Sequence, residues 1–240
     1  MLIMSLYVHC LFYFTVHSTV YAFEQKLHNA NLNTLNPQEE SVNVLRKENF
    51  TVNTEERVTV QLYYESLCPY CIRFSIDRFT PIIKKLGQYL EIQTYPYGNA
   101  QTFKRKGKYT FQCQHGPEEC YGNKLHACAI DLMQNKTQAL LFNSCLMDSA
   151  RLGLGSDNNA ADSCGNIQNI NTTMIKQCAE GAKGVQLLKY YGDKSKEAGF
   201  HYVPYILVNG KRTRQSKFAK KVCEAFANTP PSCRKMFHIA

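Results

Sequence analysis

Two cysteines separated by two residues, Cys68-Pro69-Tyr70-Cys71, are the residues of this chain whose types and spacing carry the most chemistry. A pair so spaced exchanges electrons as dithiol and disulfide, supplies two ligands to zinc, or closes a structural disulfide. The redox reading is preferred because no second C-x-x-C follows to complete a zinc site. Pro69 also suits the first turn of a helix, where its missing N–H would have had no partner. A thiol just ahead of a helix feels unpaired N–H groups and a dipole that favour negative charge. Cys68 is therefore expected to ionise below the ~8.5 of free cysteine and to act as nucleophile, with the more buried Cys71 as resolving thiol. No metal is expected.

The elements around this pair have to form a strand feeding a helix. Residues 57–64, RVTVQLYY, combine β-branched and aromatic side chains as a strand buried on both faces does. From Pro69, apolar residues Ile72, Ile76, Phe79, Ile82, Ile83 and Leu86 recur at helical spacing up to Gly87, with a kink expected at Pro81. Leu90 to Tyr97 reads as a second strand, normally parallel to the first in such a unit. Residues 99–180 break the rhythm with six cysteines, glycine-rich stretches and helical fragments such as Thr137 to Cys145, and read as a disulfide-held insertion. Regular structure resumes with a helix near Lys183 to Glu197, a strand from Val203 to Val208, the Asn209-Gly210 turn, a short strand, and a helix near Ser216 to Phe226. The assignment is one α/β domain over residues 57–228 with a tail at 229–240.

Residues 1–22 are apolar, lack Asp, Glu, Lys and Arg, and end in Val20-Tyr21-Ala22, so they are expected to be a cleaved signal peptide. Residues 23–56 are rich in Asn, Glu and Gln without apolar periodicity, and read as a mobile extension or pro-segment. Cleavage would remove Cys10 of the eleven cysteines and leave an even ten, as an oxidising compartment favours. Sequons at Asn49, Asn135 and Asn171 agree with a glycoprotein of the secretory pathway, lysosomal, endosomal or secreted, with no membrane span in its mature form.

The formal charge of +9 becomes +12 from Arg57 onward, since residues 23–56 hold three basic and six acidic side chains. A solvated basic face is the preferred reading of runs such as Lys104-Arg105-Lys106-Gly107-Lys108 and Lys211-Arg212-Thr213-Arg214. No recognition motif accompanies the charge, so no nucleic acid partner is expected. The alternative function is a secreted basic interaction module that keeps the dithiol only as scaffold.

Cys113-Gln114-His115-Gly116-Pro117-Glu118-Glu119-Cys120, continuing through Asn123 to Cys128, resembles the C-Q-H-G-x-x-E-C signature of the gamma-interferon-inducible lysosomal thiol reductase family. The resemblance extends more loosely from the strand before Cys68 to about Phe226. It implies a thioredoxin-like fold with a disulfide-rich helical insertion, and an enzyme that reduces protein disulfides in an acidic compartment through Cys68 and Cys71. By analogy of order, Val203-Pro204 resembles the cis-proline loop that faces the dithiol in thioredoxin-like folds and holds substrate extended. The resemblance makes Cys113, Cys120 and Cys128 disulfide candidates, and His115 and Glu119 are read as ordering their loop rather than as acid or base. Cys145, Cys164, Cys178, Cys223 and Cys233 complete the eight structural candidates, among which only Cys223 with Cys233 is paired in advance. No phosphate loop or dinucleotide fingerprint is present, so no bound cofactor is expected; a small thiol or another protein would supply electrons to act on disulfide-containing protein substrates.

Overall fold

Strand β1 (Val58–Tyr64) lies inside a four-stranded sheet of order β2-β1-β5-β6, in a computed structural model that describes residues 57–237. The leader, the extension up to residue 56 with its Asn49 sequon, and residues 238–240 lie outside the described residues. β1 runs parallel to β2 (Leu90–Pro96), pairing Val58 with Leu90 through Tyr64 with Pro96, and antiparallel to β5 (Tyr205–Val208). β6 (Lys211–Arg212) adds a short edge through the Asn209-Gly210 turn, where both residues have positive φ.

The two faces of β1 differ. Val58, Val60, Leu62 and Tyr64 are buried against the helices that carry the dithiol, in one cluster with Ile72, Phe74, Phe79, Ile83 and Phe218. On the opposite face Thr59 and Gln61 are only half-buried, so the strand alternates over its first half instead of being buried throughout. Tyr63 on that face stacks on Tyr95 with centroids 4.3 Å apart and meets Phe200 and Tyr205.

The helix after β1 is continuous but not uniform. It opens as α1 (Pro69–Phe74), widens into a π turn over Ser75–Phe79, and resumes as α2 (Thr80–Leu86). The physical cause is Pro81, which has no N–H to donate and whose ring would crowd the carbonyl four residues back. The ladder widens just before it, with the Thr80 N–H donating to the Ser75 carbonyl five residues earlier. Ser75 and Thr80 side chains meet Ser144 at 3.3 and 2.8 Å across this turn.

The insertion opens with a hairpin that periodicity did not reveal. β3 (Gln101–Arg105) and β4 (Lys108–Gln112) pair antiparallel around Lys106-Gly107, both at positive φ, so the basic run is the tip of a ribbon. Four helices follow: α3 (Pro117–Leu132), α4 (Lys136–Arg151), α5 (Asn158–Gln168) and α6 (Thr173–Glu180). Disulfides Cys113–Cys120, Cys128–Cys178 and Cys145–Cys164 tie the start of α3 to its preceding loop, α3 to α6, and α4 to α5.

α7 (Ala182–Ala198) returns the chain to the sheet, where Tyr191 meets Tyr95 edge-on. α8 (Phe218–Glu224) packs Phe218 against Phe74 and Phe79, at centroid separations of 5.2 and 6.1 Å. Beyond it the expected tail contains a helix, α9 (Pro231–Phe237), which disulfide Cys223–Cys233 joins to α8. Among the described residues no helix is long and apolar enough to cross a membrane.

Candidate active site

Cys68 occupies the N-cap of α1 in extended backbone conformation, and Cys71 lies one turn inside the helix. Both thiols are free and buried, at 5% and 1% exposure, in the core cluster against which Val203 packs. Their environments push them apart. A hydrogen bond from the Cys71 thiol leads the causes that bring Cys68 from 9.0 down to about 6, against the opposing effect of burial. Backbone N–H groups of Cys71 and Tyr70 and the charge of His115 add to the lowering. Burial raises Cys71 well above its ordinary value, and the neighbouring Cys68 thiolate adds to it. One thiol is thus prepared to attack and the other to stay protonated.

The Val203–Pro204 peptide bond is cis and immediately precedes β5, whose Ile206 pairs with Leu62 of β1. The strand begins at Tyr205, two residues later than the sequence pattern indicates, since Pro204 has no N–H to donate to a ladder.

Behind Cys68, the loop Glu65-Ser66-Leu67 is clamped by the C-Q-H-G-x-x-E-C segment. Gly116 (φ 89°) caps α3 with a backbone that a side chain would strain, and Pro117 fills the first helical position. Glu119, three residues after the cap, reaches back to accept the His115 backbone N–H at 3.0 Å, in the manner of a capping box displaced by one residue. Its other oxygen lies 2.6 Å from His115 Nδ1, which is 3.4 Å from the Glu65 carboxyl. Ser66 donates its N–H to Asn123 Oδ1 at 2.9 Å and its hydroxyl to the Glu119 carbonyl at 3.2 Å. Gly122 lies so close that a Cβ there would come within 2.6 Å of Ser66 Oγ.

Glu65 has no exposed surface, and burial raises its carboxyl from 4.5 to about 7. The Asn99 N–H, donating at 2.7 Å, works against that rise, while Glu119 and Cys68 add to it. Nothing in the spacing of the sequence marked Glu65; its only signal is an acidic residue placed directly after a strand of apolar and aromatic residues. Tyr64, next to it, shares a hydrogen bond at 3.0 Å with His126, whose burial depresses it to about 3.

Among the described residues the one three-ligand grouping is Glu65, His115 and Glu119, and neither active-site thiol belongs to it. His115 Nδ1 is already engaged in a hydrogen bond with Glu119 at 2.6 Å, so no metal is assigned there. Asn135 and Asn171 are exposed, the first capping α4 through Gln138 and the second accepting the Thr173 N–H.

Residues 59–168 match the family described as Gamma interferon inducible lysosomal thiol reductase (GILT). A relative so named from Mus musculus is 32% identical over 179 residues, covering 72% of this chain and 69% of its own length. The gamma-interferon-inducible lysosomal thiol reductase-like protein of Anopheles gambiae is 30% identical over 197 residues, covering 75% and 81%. This chain belongs to the GILT family. The Carassius auratus member is 35% identical over 160 residues, 65% of this chain, and the match spans only 61% of that relative. Among solved structures, the disulfide bond oxidoreductase DsbG from Mycobacterium tuberculosis superposes with a TM-score of 0.53 at 17% identity, over 76% of this chain and 86% of its own. DsbA from the same organism gives 0.52 at 17%, over 74% and 86%. At such identities the likeness establishes the thioredoxin-like fold, on which this GILT-family chain carries its disulfide-rich helical insertion.

Proposed function

We propose that the chain is a thiol-disulfide oxidoreductase that reduces protein disulfides in an acidic endosomal, lysosomal or extracellular setting. The observation that carries the reading is the unequal pair at the head of α1: Cys68 lowered to about 6 beside Cys71 raised well above its usual value. The Cys68 thiolate attacks one sulfur of a substrate disulfide and displaces the other as thiolate, which takes a proton. Cys71 loses its proton and attacks the Cys68 sulfur, releasing the second substrate thiol and leaving Cys68–Cys71 oxidised. Two electrons pass to the substrate, and an external small thiol or a protein dithiol returns them. No bound cofactor enters this cycle.

The same site supports the setting. At pH ~4.5 a thiol of pKa about 6 is roughly 3% ionised, whereas one near 9 is ionised about a thousandfold less. Val203, packed against the cluster that holds Cys68 and Cys71, supports binding of extended polypeptide at the Val203-Pro204 segment. The names of the family members support the lysosomal destination over simple secretion.

The test is reduction of a denatured disulfide protein at pH ~4.5 and pH 7 with a small thiol as reductant, comparing the mature chain with Cys68→Ser and Cys71→Ser. Turnover at acid pH that Cys68→Ser abolishes is the expected result. Equal and negligible rates in all three would overturn the reading and leave the basic-surface interaction module in its place.

A further inference from the structure

We infer that His115, Glu119 and Glu65 are the acid-tuning element of the dithiol: protonated His115 and neutral Glu65 favour the Cys68 thiolate, and loss of both protons places uncompensated negative charge behind it. This deepens the reductase reading and rests on it for its biological use. Glu65 and Glu119 are fully buried and His115 is about one-third exposed, so protons reach the cluster from solvent through the imidazole. One Glu65 oxygen accepts the Asn99 N–H, but the other is buried without a hydrogen-bond partner, 3.4 Å from His115 Nδ1. A buried lone oxygen without a donor favours the protonated carboxyl, and a proton or an imidazolium is what the position lacks.

Glu65 stands three residues before Cys68, on the loop that Asn123 and the Glu119 carbonyl hold through Ser66. The charges on the cluster therefore act on the thiol at a distance that the fold holds constant. The other titratable groups near it do not reproduce the effect. Tyr70, Arg73 and Glu118 are exposed, and Arg73 lies over the Tyr70 ring at 5.7 Å. Tyr64 and His126 behind the loop are buried and bonded to each other, with burial raising the former and lowering the latter, so both stay neutral. Cys71 is held protonated. Among the described residues this leaves Glu65, which burial raises from 4.5 to about 7, with the His115 imidazole 3.4 Å from its carboxyl, to alter the charge behind Cys68. Cys68 is stabilised as thiolate by the charge on His115, and by linkage the thiolate stabilises the imidazolium to the same extent. His115 and Glu119 are on this account positioning residues that act on the thiol through charge.

The experiment is iodoacetamide alkylation of Cys68 in the reduced full chain, followed by peptide mass at pH 5 and pH 8.5. His115→Gln is expected to lower the ratio of the pH 5 rate to the pH 8.5 rate roughly three- to tenfold. An unchanged ratio overturns the inference, and so does an equal fall at both pH values, which is what a merely structural role produces. Should His115→Gln fail to fold, the imidazole of His115 is titrated by NMR in the natural chain and in Cys68→Ser. Its midpoint is expected to fall when the thiolate is removed, and an unmoved midpoint overturns the inference. Alkylation reads the thiol and not turnover. A His115-dependent ratio in a chain that reduces no disulfide would sink the reductase reading while upholding the charge cluster.

Discussion

The side chain of Asn123 accepts the backbone N–H of Ser66 at 2.9 Å, joining α3 to the loop that delivers Cys68. The bond is buried and spans 57 residues of sequence, so it ties the insertion to the dithiol directly. Asn123→Ala leaves that N–H without a partner and is expected to cost roughly 1–3 kcal/mol. Urea denaturation of the reduced chain measures it; a loss below a few tenths of a kcal/mol would show that the clamp is dispensable.

Cys71→Ser should retain attack and lose resolution. Incubated with a denatured disulfide protein, it is expected to accumulate a covalent complex through Cys68, visible by non-reducing electrophoresis and released by a small thiol. Cys68→Ser should form none. Complexes in equal yield from both variants would contradict the assigned order of attack.

Glu65 makes stability depend on pH in a stated direction. Its carboxyl is raised from 4.5 to about 7 in the folded chain, so the folded state holds a proton that the unfolded state has released. The contribution is fully present below pH 4.5 and is lost as pH rises through about 7, at up to ~1.4 kcal/mol per pH unit between them. Glu65→Gln should therefore match the natural chain at pH 4 and exceed it in urea midpoint at pH 8. A variant no more stable at pH 8 than at pH 4, relative to the natural chain, refutes the assignment.

Gly122 packs where no side chain fits. A Cβ would lie 2.6 Å from Ser66 Oγ and 2.8 Å from Ser156 Oγ, so Gly122→Ala is expected to destabilise by about 1–3 kcal/mol. The same displacement of Ser66 should slow alkylation of Cys68 at all pH values. Full stability with unchanged alkylation would mean that the two segments separate without strain.

Removing the Cys128–Cys178 disulfide, which closes 50 residues of sequence between α3 and α6, should cost about 2–5 kcal/mol. Thermal unfolding of Cys128→Ser/Cys178→Ser at fixed pH tests this. The core that carries the dithiol is a separate cluster, so a variant kept below its melting temperature should still alkylate at Cys68.

Local pattern made the strand before Cys68, the helix after it and the redox pair legible, because each depends on neighbours within a few residues. The π turn before Pro81 and the β3–β4 hairpin were less legible. The π turn needed the actual hydrogen-bond ladder, with the Thr80 N–H donating five residues back. The hairpin reads as a charge run because its short strands are mostly exposed and carry little apolar alternation.

By itself the sequence determined the chemistry: which two thiols are available, which lies at the helix cap, and which family carries the intervening signature. Only the tertiary structure decided that three of the four disulfides stay inside the insertion, and that Glu65, His115 and Glu119 meet. The reason is physical. A helix cap or a strand is stabilised by bonds between near neighbours, whereas the charge of a buried carboxyl depends on groups that folding brings from 50 or more positions away, such as His115 beside Glu65.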